Sequence, residues 1–287
     1  MITGAKMNRP QASSNPIPGE NVVDLEEIVK VWAQEVFDIS KTKEQTRIPK
    51  EMLQYNINWK YVKFHFDEPH YDVVPHTING NEVHKPKFQP QVLFKTHYTN
   101  NTAFEQEYMF KTERTTRSSC TVCVESGFTR GFEFALKLAT PCEIAEANAG
   151  FKREIAVVNI GEDSVEEQLT WGVDSTIKVP AHTETTAELV IKEAQQSHDF
   201  LMETRFHGRV LVTVTDLRDN NNLVTHMEGD ISQIMRREIQ RGLKGFRIDR
   251  ERVVVAETRG RCSFKYGVEQ RVKIYQQPAG SFDYVDS

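Results

Sequence analysis

Residues 131–154 read GFEFALKLATPCEIAEANAGFKRE, and their alternation decides how the rest of the chain is understood. Ascending from just before this stretch, Phe128, Phe132, Phe134, Leu136 and Leu138 share one face, opposite Thr129, Gly131, Glu133, Ala135, Lys137 and Ala139, with Arg130 the exception. Beyond Pro141 a second apolar row, Ala145, Ala147, Ala149, Phe151, Ile155 and Val157, is broken by Arg153 and backed by Glu146, Asn148, Gly150, Lys152 and Glu154. A period of two is that of a strand with one covered face. Each leg keeps it for about 11 residues, near the ~9–11 that a tilted strand needs to cross a bilayer. An ordinary half-buried hairpin alternates in the same way. Three features favour a hairpin that meets lipid. The polar face mixes acid, base, Asn and Gly, as a wet lumen does; the descending leg, rich in Ala and Gly, is poor core material; and the flanks are long and rich in Ser and Thr.

Those flanks carry the same grammar. Segments 58–66, 90–100, 104–126, 163–194 and 205–217 alternate with β-branched and aromatic residues, and two last strands are predicted at 252–257 and 262–275. Helical spacing occurs twice. Leu25, Ile28, Val29, Trp32, Val36 and Phe37 form a stripe behind Asp24 as N-cap, and Ile231, Ile234, Met235, Ile239 and Leu243 form another behind Asp230. A short helix is predicted at Pro49–Tyr55, since proline suits a first turn. Residues 1–20, rich in Pro, Ser and Asn, read as a disordered arm. Strands that follow one another without intervening helices pair antiparallel by default. The fold class is therefore mainly β, an elongated antiparallel sheet or sandwich with a small N-terminal helical cap, divided into an arm (1–20), a helix-plus-strand region (21–90) and a β module (91–287).

Composition narrows the function. A net charge of −5 and a sequence pI near 6.0 give no basic field for nucleic acid. The N-terminus lacks the apolar core of a secretory signal and the chain has no apolar run long enough for a transmembrane helix, so a secreted or cytosolic soluble form is expected. Four cysteines, Cys120, Cys123, Cys142 and Cys262, are too few for a disulfide scaffold and read as reduced thiols. The Cys120–Cys123 pair lacks the second ligand pair of a zinc site, and residues three apart on a strand face opposite ways. The histidines of the first third (His65, His70, His76, His84, His97) have no metal or catalytic spacing, and the acidic run 161–167 lacks the pattern of a calcium loop. No nucleophile elbow, phosphate loop, dinucleotide fingerprint or metalloprotease helix is present, so neither an enzyme nor a cofactor is expected. The aromatic run Tyr55, Trp59, Tyr61, Phe64, Phe66 and Tyr71 suits either a glycan or headgroup platform (Tyr55, Trp59, Tyr61, Tyr71) or the buried face of strands packing on the first helix.

The flanking strands resemble a known family. Residues 110–128, then 170–193 with Trp171, Ser175, Ile177, Val179, Pro180 and Thr183, then 206–214, are similar to the aerolysin-like β-pore-forming proteins, most of all their epsilon-toxin/mosquitocidal-toxin branch. There a Ser/Thr-rich strand leads into an amphipathic insertion segment and the strand after it ends in V-P-x-x-T. The glycine-punctuated stretch 258–274 is similar to the strands that close the family's C-terminal sandwich. The resemblance implies a soluble monomer that binds membrane lipid and a surface receptor, gathers into a closed ring of roughly 7–9 copies, and inserts residues 128–157. It places Pro141 and Cys142 at the hairpin tip. Phe128, Phe132, Phe134, Leu136, Leu138, Ala145, Ala147, Ala149, Phe151 and Ile155 then face lipid, and Glu133, Lys137, Glu146, Asn148, Lys152 and Glu154 line the pore. A non-pore binding or structural protein on the same scaffold is the rival reading.

Overall fold

The computed structural model describes residues 21–131, 136–146, 150–158 and 162–279. In chain order the elements are β1 (Asn21–Asp24), α1 (Leu25–Ser40), β2 (Leu53–Asn58), β3 (Val62–Phe66), β4 (His70–Val73), β5 (His76–Ile78), β6 (Asn81–Val83), β7 (Lys87–Asn100) and β8 (Gln106–Thr129). They continue with β9 (Leu136–Ala139), α2 (Cys142–Glu146), β10 (Glu154–Val157), β11 (Glu162–Val179), β12 (Thr183–Asp216), β13 (Asn222–Asp230), α3 (Ile231–Gln240), β14 (Phe246–Asp249) and β15 (Val253–Pro278).

β12 is the spine. Its 34 residues give a contour of about 110 Å at ~3.3 Å per residue. One side pairs with β15 from Thr183↔Pro278 to Phe206↔Val254. The other side takes β7, β4 and β3 in succession. At Gly208 the strand changes partners, and from Arg209 onward it pairs with β13 and then also β2. The bend needs glycine: φ is +122°, and a Cβ there would stand 2.1 Å from the Tyr61 carbonyl oxygen. β8 pairs along β11 from Gln106↔Val179 to Cys123↔Glu162, and over 119–126 also with β15. The pairing is antiparallel except for β1 against β8.

Three cores lie along this frame. At the head, Leu25, Val29, Ala33 and Phe37 of α1 and Ile231, Ile234 and Met235 of α3 close over Phe206, Val210, Val212 and Val214 of β12. Both helices start as their sequences require: Asp24 Oδ1 accepts from Glu26 N at 2.9 Å, and Asp230 Oδ1 from Ser232 N at 2.9 Å. At the far end Phe110, Ile177, Val179, Ala187 and Leu189 join the β8–β11 ribbon to β12. The middle core holds the candidate site.

Two expectations change and one open choice closes. The helix predicted at Pro49–Tyr55 is a single 3-10 turn, Lys50–Met52, because Leu53, Tyr55 and Ile57 alternate and pair with the head end of β12. The separate strands of the last third are single long ones, β12 and β15. The aromatic platform is largely core: Tyr55 meets Phe37 edge-on at 6.5 Å between centroids, Trp59 meets Phe64 at 6.2 Å, and of the four residues only Tyr61 is exposed, at 56%. The head core draws on 25–64 and 206–256 together, so it straddles residue 90.

Candidate functional site

β9 and β10 form a two-stranded antiparallel hairpin with Leu136 opposite Val157 and Leu138 opposite Ile155. All four side chains are buried. Lys137, Ala139, Glu154 and Ala156 point the other way and are exposed, with Lys137 Nζ 4.0 Å from Glu154 Oε2. The parity read from the sequence is the parity of the folded hairpin.

The tip differs from the expected tight turn. Pro141 O accepts from Ile144 N and Ala145 N, each at 3.0 Å, and starts the short helix α2. A helical step in place of an extended one sends Ile144 into the core at 0% exposure, buries Pro141, and leaves Cys142, Ala145 and Glu146 exposed. Ala145 therefore does not continue the buried row of Ile155, and Ile144, which the alternation passed over, does. Thr140 closes the neck, its N donating to Arg153 O at 2.8 Å and its Oγ1 to Lys152 O at 2.5 Å.

Phe128 also parts from the hairpin. It belongs to the head core, 5.8 Å from Phe206 and 6.3 Å from Phe64 between centroids. β8 ends at Thr129, and Gly131, with φ +63°, turns the chain away while its N donates to Asp24 Oδ1 at 2.9 Å. Phe151 is half-buried against Phe264 at 5.6 Å and Tyr266 at 6.4 Å, and Lys152 is exposed. Phe132, Glu133, Phe134, Ala147, Asn148 and Ala149 lie outside the described residues.

The hairpin rests on a cradle made by one face of the main sheet: Cys120, Val122 and Val124 of β8, Cys262, Phe264 and Tyr266 of β15, and Ala194, Phe200 and Met202 of β12. Each large aliphatic side chain buried there contributes roughly 1.5–3 kcal/mol. Among the described residues no backbone ladder joins β9 or β10 to the main sheet, and the two pair with each other. A side-chain latch helps: Tyr71 Oη donates to Ala139 O at 2.7 Å. Burial pushes the Tyr71 phenol well up, so it stays a donor. Tyr71 is thus a hairpin contact rather than part of a surface platform. Beneath, the Cys262 thiol is pushed up by its hydrogen bond with Cys120 and by burial, so it is a poor nucleophile, and Cys120 is buried beside it.

His198 lies in the same floor. It is 2% exposed, Nδ1 has no hydrogen-bond partner among the described residues, and its ring meets Tyr71 at 6.0 Å and Phe264 at 5.9 Å. Burial lowers its pKa below the ordinary 6.5, against the opposing pull of Glu143 on α2 and Asp199 on its own strand. Above pH 6.5 the imidazole is neutral folded and unfolded, and nothing is lost. Below it the unfolded chain takes up the proton first, so stability falls as pH drops from about 6.5 toward the lowered value. The melting temperature is expected to fall between pH 7.5 and 5.5, and His198→Gln to flatten that slope. An unchanged slope in the variant would assign the acid sensitivity elsewhere.

Sequence reasoning missed Ile144, Tyr71 and His198 as parts of this site. Pro141 followed by Cys-Glu-Ile-Ala-Glu was a usable helix-start signal for the first. Tyr71 and His198 have no local signal, since pairing brings them under the hairpin from 68 and 59 residues away from Ala139.

No protein-family model and no curated protein matches the chain. Among solved structures, a non-toxic crystal protein from Bacillus thuringiensis matches with a TM-score of 0.55 at 14% identity, covering 91% of this chain and 100% of that one. The Cry23Aa1–Cry37Aa1 binary protein complex matches at 0.52 and 12% identity, covering 91% of each chain. The fold is shared with these two crystal proteins. The Mpp75Aa1.1 β-pore-forming protein from Brevibacillus laterosporus is similar at a TM-score of 0.43 and 15% identity, over 82% of this chain and 74% of that one. At such identities likeness shows the fold alone, and activity has to be argued from the site.

Proposed function

We propose that this chain forms membrane pores by releasing the β9–β10 hairpin from its cradle and pooling it with the hairpins of other copies in a closed β-barrel. The observation that carries the reading is the missing ladder. An amphipathic hairpin held by side chains and a latch leaves without breaking main-sheet hydrogen bonds. No helix among the described residues is long and apolar enough to cross a membrane, so any crossing falls to strands. A lone hairpin in lipid leaves its edge N–H and C=O groups unpaired, at several kcal/mol each, and only a ring of hairpins removes the edges. Assembly on the membrane therefore precedes or accompanies insertion.

In the barrel the buried row turns to acyl chains: Leu136, Leu138, Phe151 and Ile155, joined by Phe132, Phe134, Ala147 and Ala149 and, once α2 unwinds, by Ala145. Phe128 stays with the head. Glu133, Glu146 and Glu154 against Lys137 and Lys152 line the lumen with Asn148, three negative charges to two positive. Purified protein added to liposomes is expected to release entrapped dye and to form rings of uniform size by electron microscopy. Reversal potentials under a salt gradient are expected to show weak cation preference; clear anion selectivity contradicts this register.

The second reading is a binding protein that keeps the scaffold without inserting. It is favoured by α2, which limits the described strands of the hairpin to four residues each. Membrane-bound protein with neither leakage nor rings supports it.

A further inference from the structure

On the side of the main sheet away from the hairpin lies a second feature. Cys120 and Val122 of β8 carry the hairpin, while Ser119 and Thr121, which alternate with them, line a cleft of about 410 Å³. Ser197 of β12 and Ser263 of β15 complete its hydroxyl floor, their Oγ atoms 2.9 Å apart. The outer wall is the β5–β6 arm, turned by Asn79 and Gly80 at positive φ and anchored where Val74 N donates to Ser197 O at 2.8 Å. That arm and its return bring His76, Lys85 and Lys87 to the cleft, and Lys265 comes from β15.

The charges do not cancel. Lys265 is paired with the buried Glu193 carboxylate at 3.2 Å, whereas Lys85 and Lys87 have no carboxylate within ion-pair distance among the described residues. Three ammonium groups less one carboxylate leave two positive charges in a concave site. His76 Nε2 is closed off from solvent at the same wall, with no hydrogen-bond partner among the described residues. Two unneutralised ammonium groups and a row of hydroxyls form a donor set that an oxyanion completes. A phosphomonoester, with a charge of about −1.5 to −2 and three acceptor oxygens, balances it. The volume exceeds that of a bare phosphate and falls in the range of small-ligand pockets, roughly 300–1,000 Å³. A polyol carrying the phosphate fills it, and its hydroxyl groups find partners on the Ser and Thr floor.

We infer that this cleft binds a phosphorylated polyol or sugar, either as a free molecule or as the headgroup of a lipid. The site is separate from the hairpin, so its test does not depend on pore formation. Titration calorimetry at low salt with inositol trisphosphate is expected to show saturable binding that weakens as salt rises. A Lys85→Gln/Lys87→Gln variant, both positions being exposed, is expected to bind about tenfold more weakly or worse with an unchanged melting temperature; Ser263→Ala tests the floor independently. Flotation with phosphatidylcholine vesicles, with and without phosphatidylinositol bisphosphate, separates the sources. Bisphosphate-dependent flotation that inositol trisphosphate competes away assigns a lipid headgroup; solution binding without flotation assigns a soluble phosphoester. No saturable binding, or binding untouched by both variants, overturns the inference.

Discussion

Tethering the hairpin to its cradle is expected to reduce dye release from liposomes to the level of protein-free vesicles. The tether follows from geometry: Phe151 and Phe264 pack edge to face at 5.6 Å between centroids, so Phe151→Cys with Phe264→Cys places two thiols within reach of a short bifunctional thiol reagent. Cys123 and Cys142, half-buried and exposed, are changed to serine beforehand, while Cys120 and Cys262 are sealed in the core. The same double variant left unbridged is the reference, because losing two rings loosens the cradle by itself. Full bridging with leakage intact removes the hairpin from the mechanism, however well the protein binds membranes.

A large effect in the opposite direction is expected from Leu138→Ala. Leu138 is fully buried between hairpin and sheet. Truncating such a leucine costs about 2–5 kcal/mol through lost transfer energy and the cavity left behind. With no main-chain ladder to the sheet, that cost falls on docking of the hairpin, and the undocked fraction rises by roughly 30-fold or more. Hydrogen exchange over residues 136–157 should accelerate accordingly, while Val210–Val214 in the head core keep their protection. Under the proposed mechanism, in which release comes before insertion, liposome leakage should begin sooner. Acceleration spread evenly over hairpin and head would mean that the hairpin is an integral part of one cooperative unit, contrary to the picture drawn from its pairing.

Much of this was readable in the chain because period and parity are local properties. Leu136, Leu138 and Ile155 were assigned to one face and Lys137 and Glu154 to the other from alternation alone, and Asp24 and Asp230 announced their helices by cap chemistry. What failed was extrapolation across a change of backbone. The even-numbered row from Phe128 to Leu138 was treated as one strand with Arg130 as an irregularity. In the fold the irregularity marks the break, with Phe128 on the head side and Leu136 on the hairpin side of Gly131. The odd-numbered row was likewise carried back to Ala145 through a helical turn, which shifts the inward position to Ile144. β12 was read in two pieces because His198, Asp199, Glu203 and Arg205 disguise a stretch whose burial still alternates strictly. Tyr71, His198 and the lysine-lined cleft were beyond reach for another reason: each is assembled by pairing between segments distant in sequence, which no local pattern encodes.

The oxygen Asp24 Oδ1 does two jobs. It caps the first turn of α1 through Glu26 N and holds the root of the hairpin segment through Gly131 N, both at 2.9 Å. Fraying at the start of that helix therefore frees Gly131 N at the same moment. One carboxylate oxygen thus ties the first turn of the head helix to the residue at which the hairpin segment leaves β8.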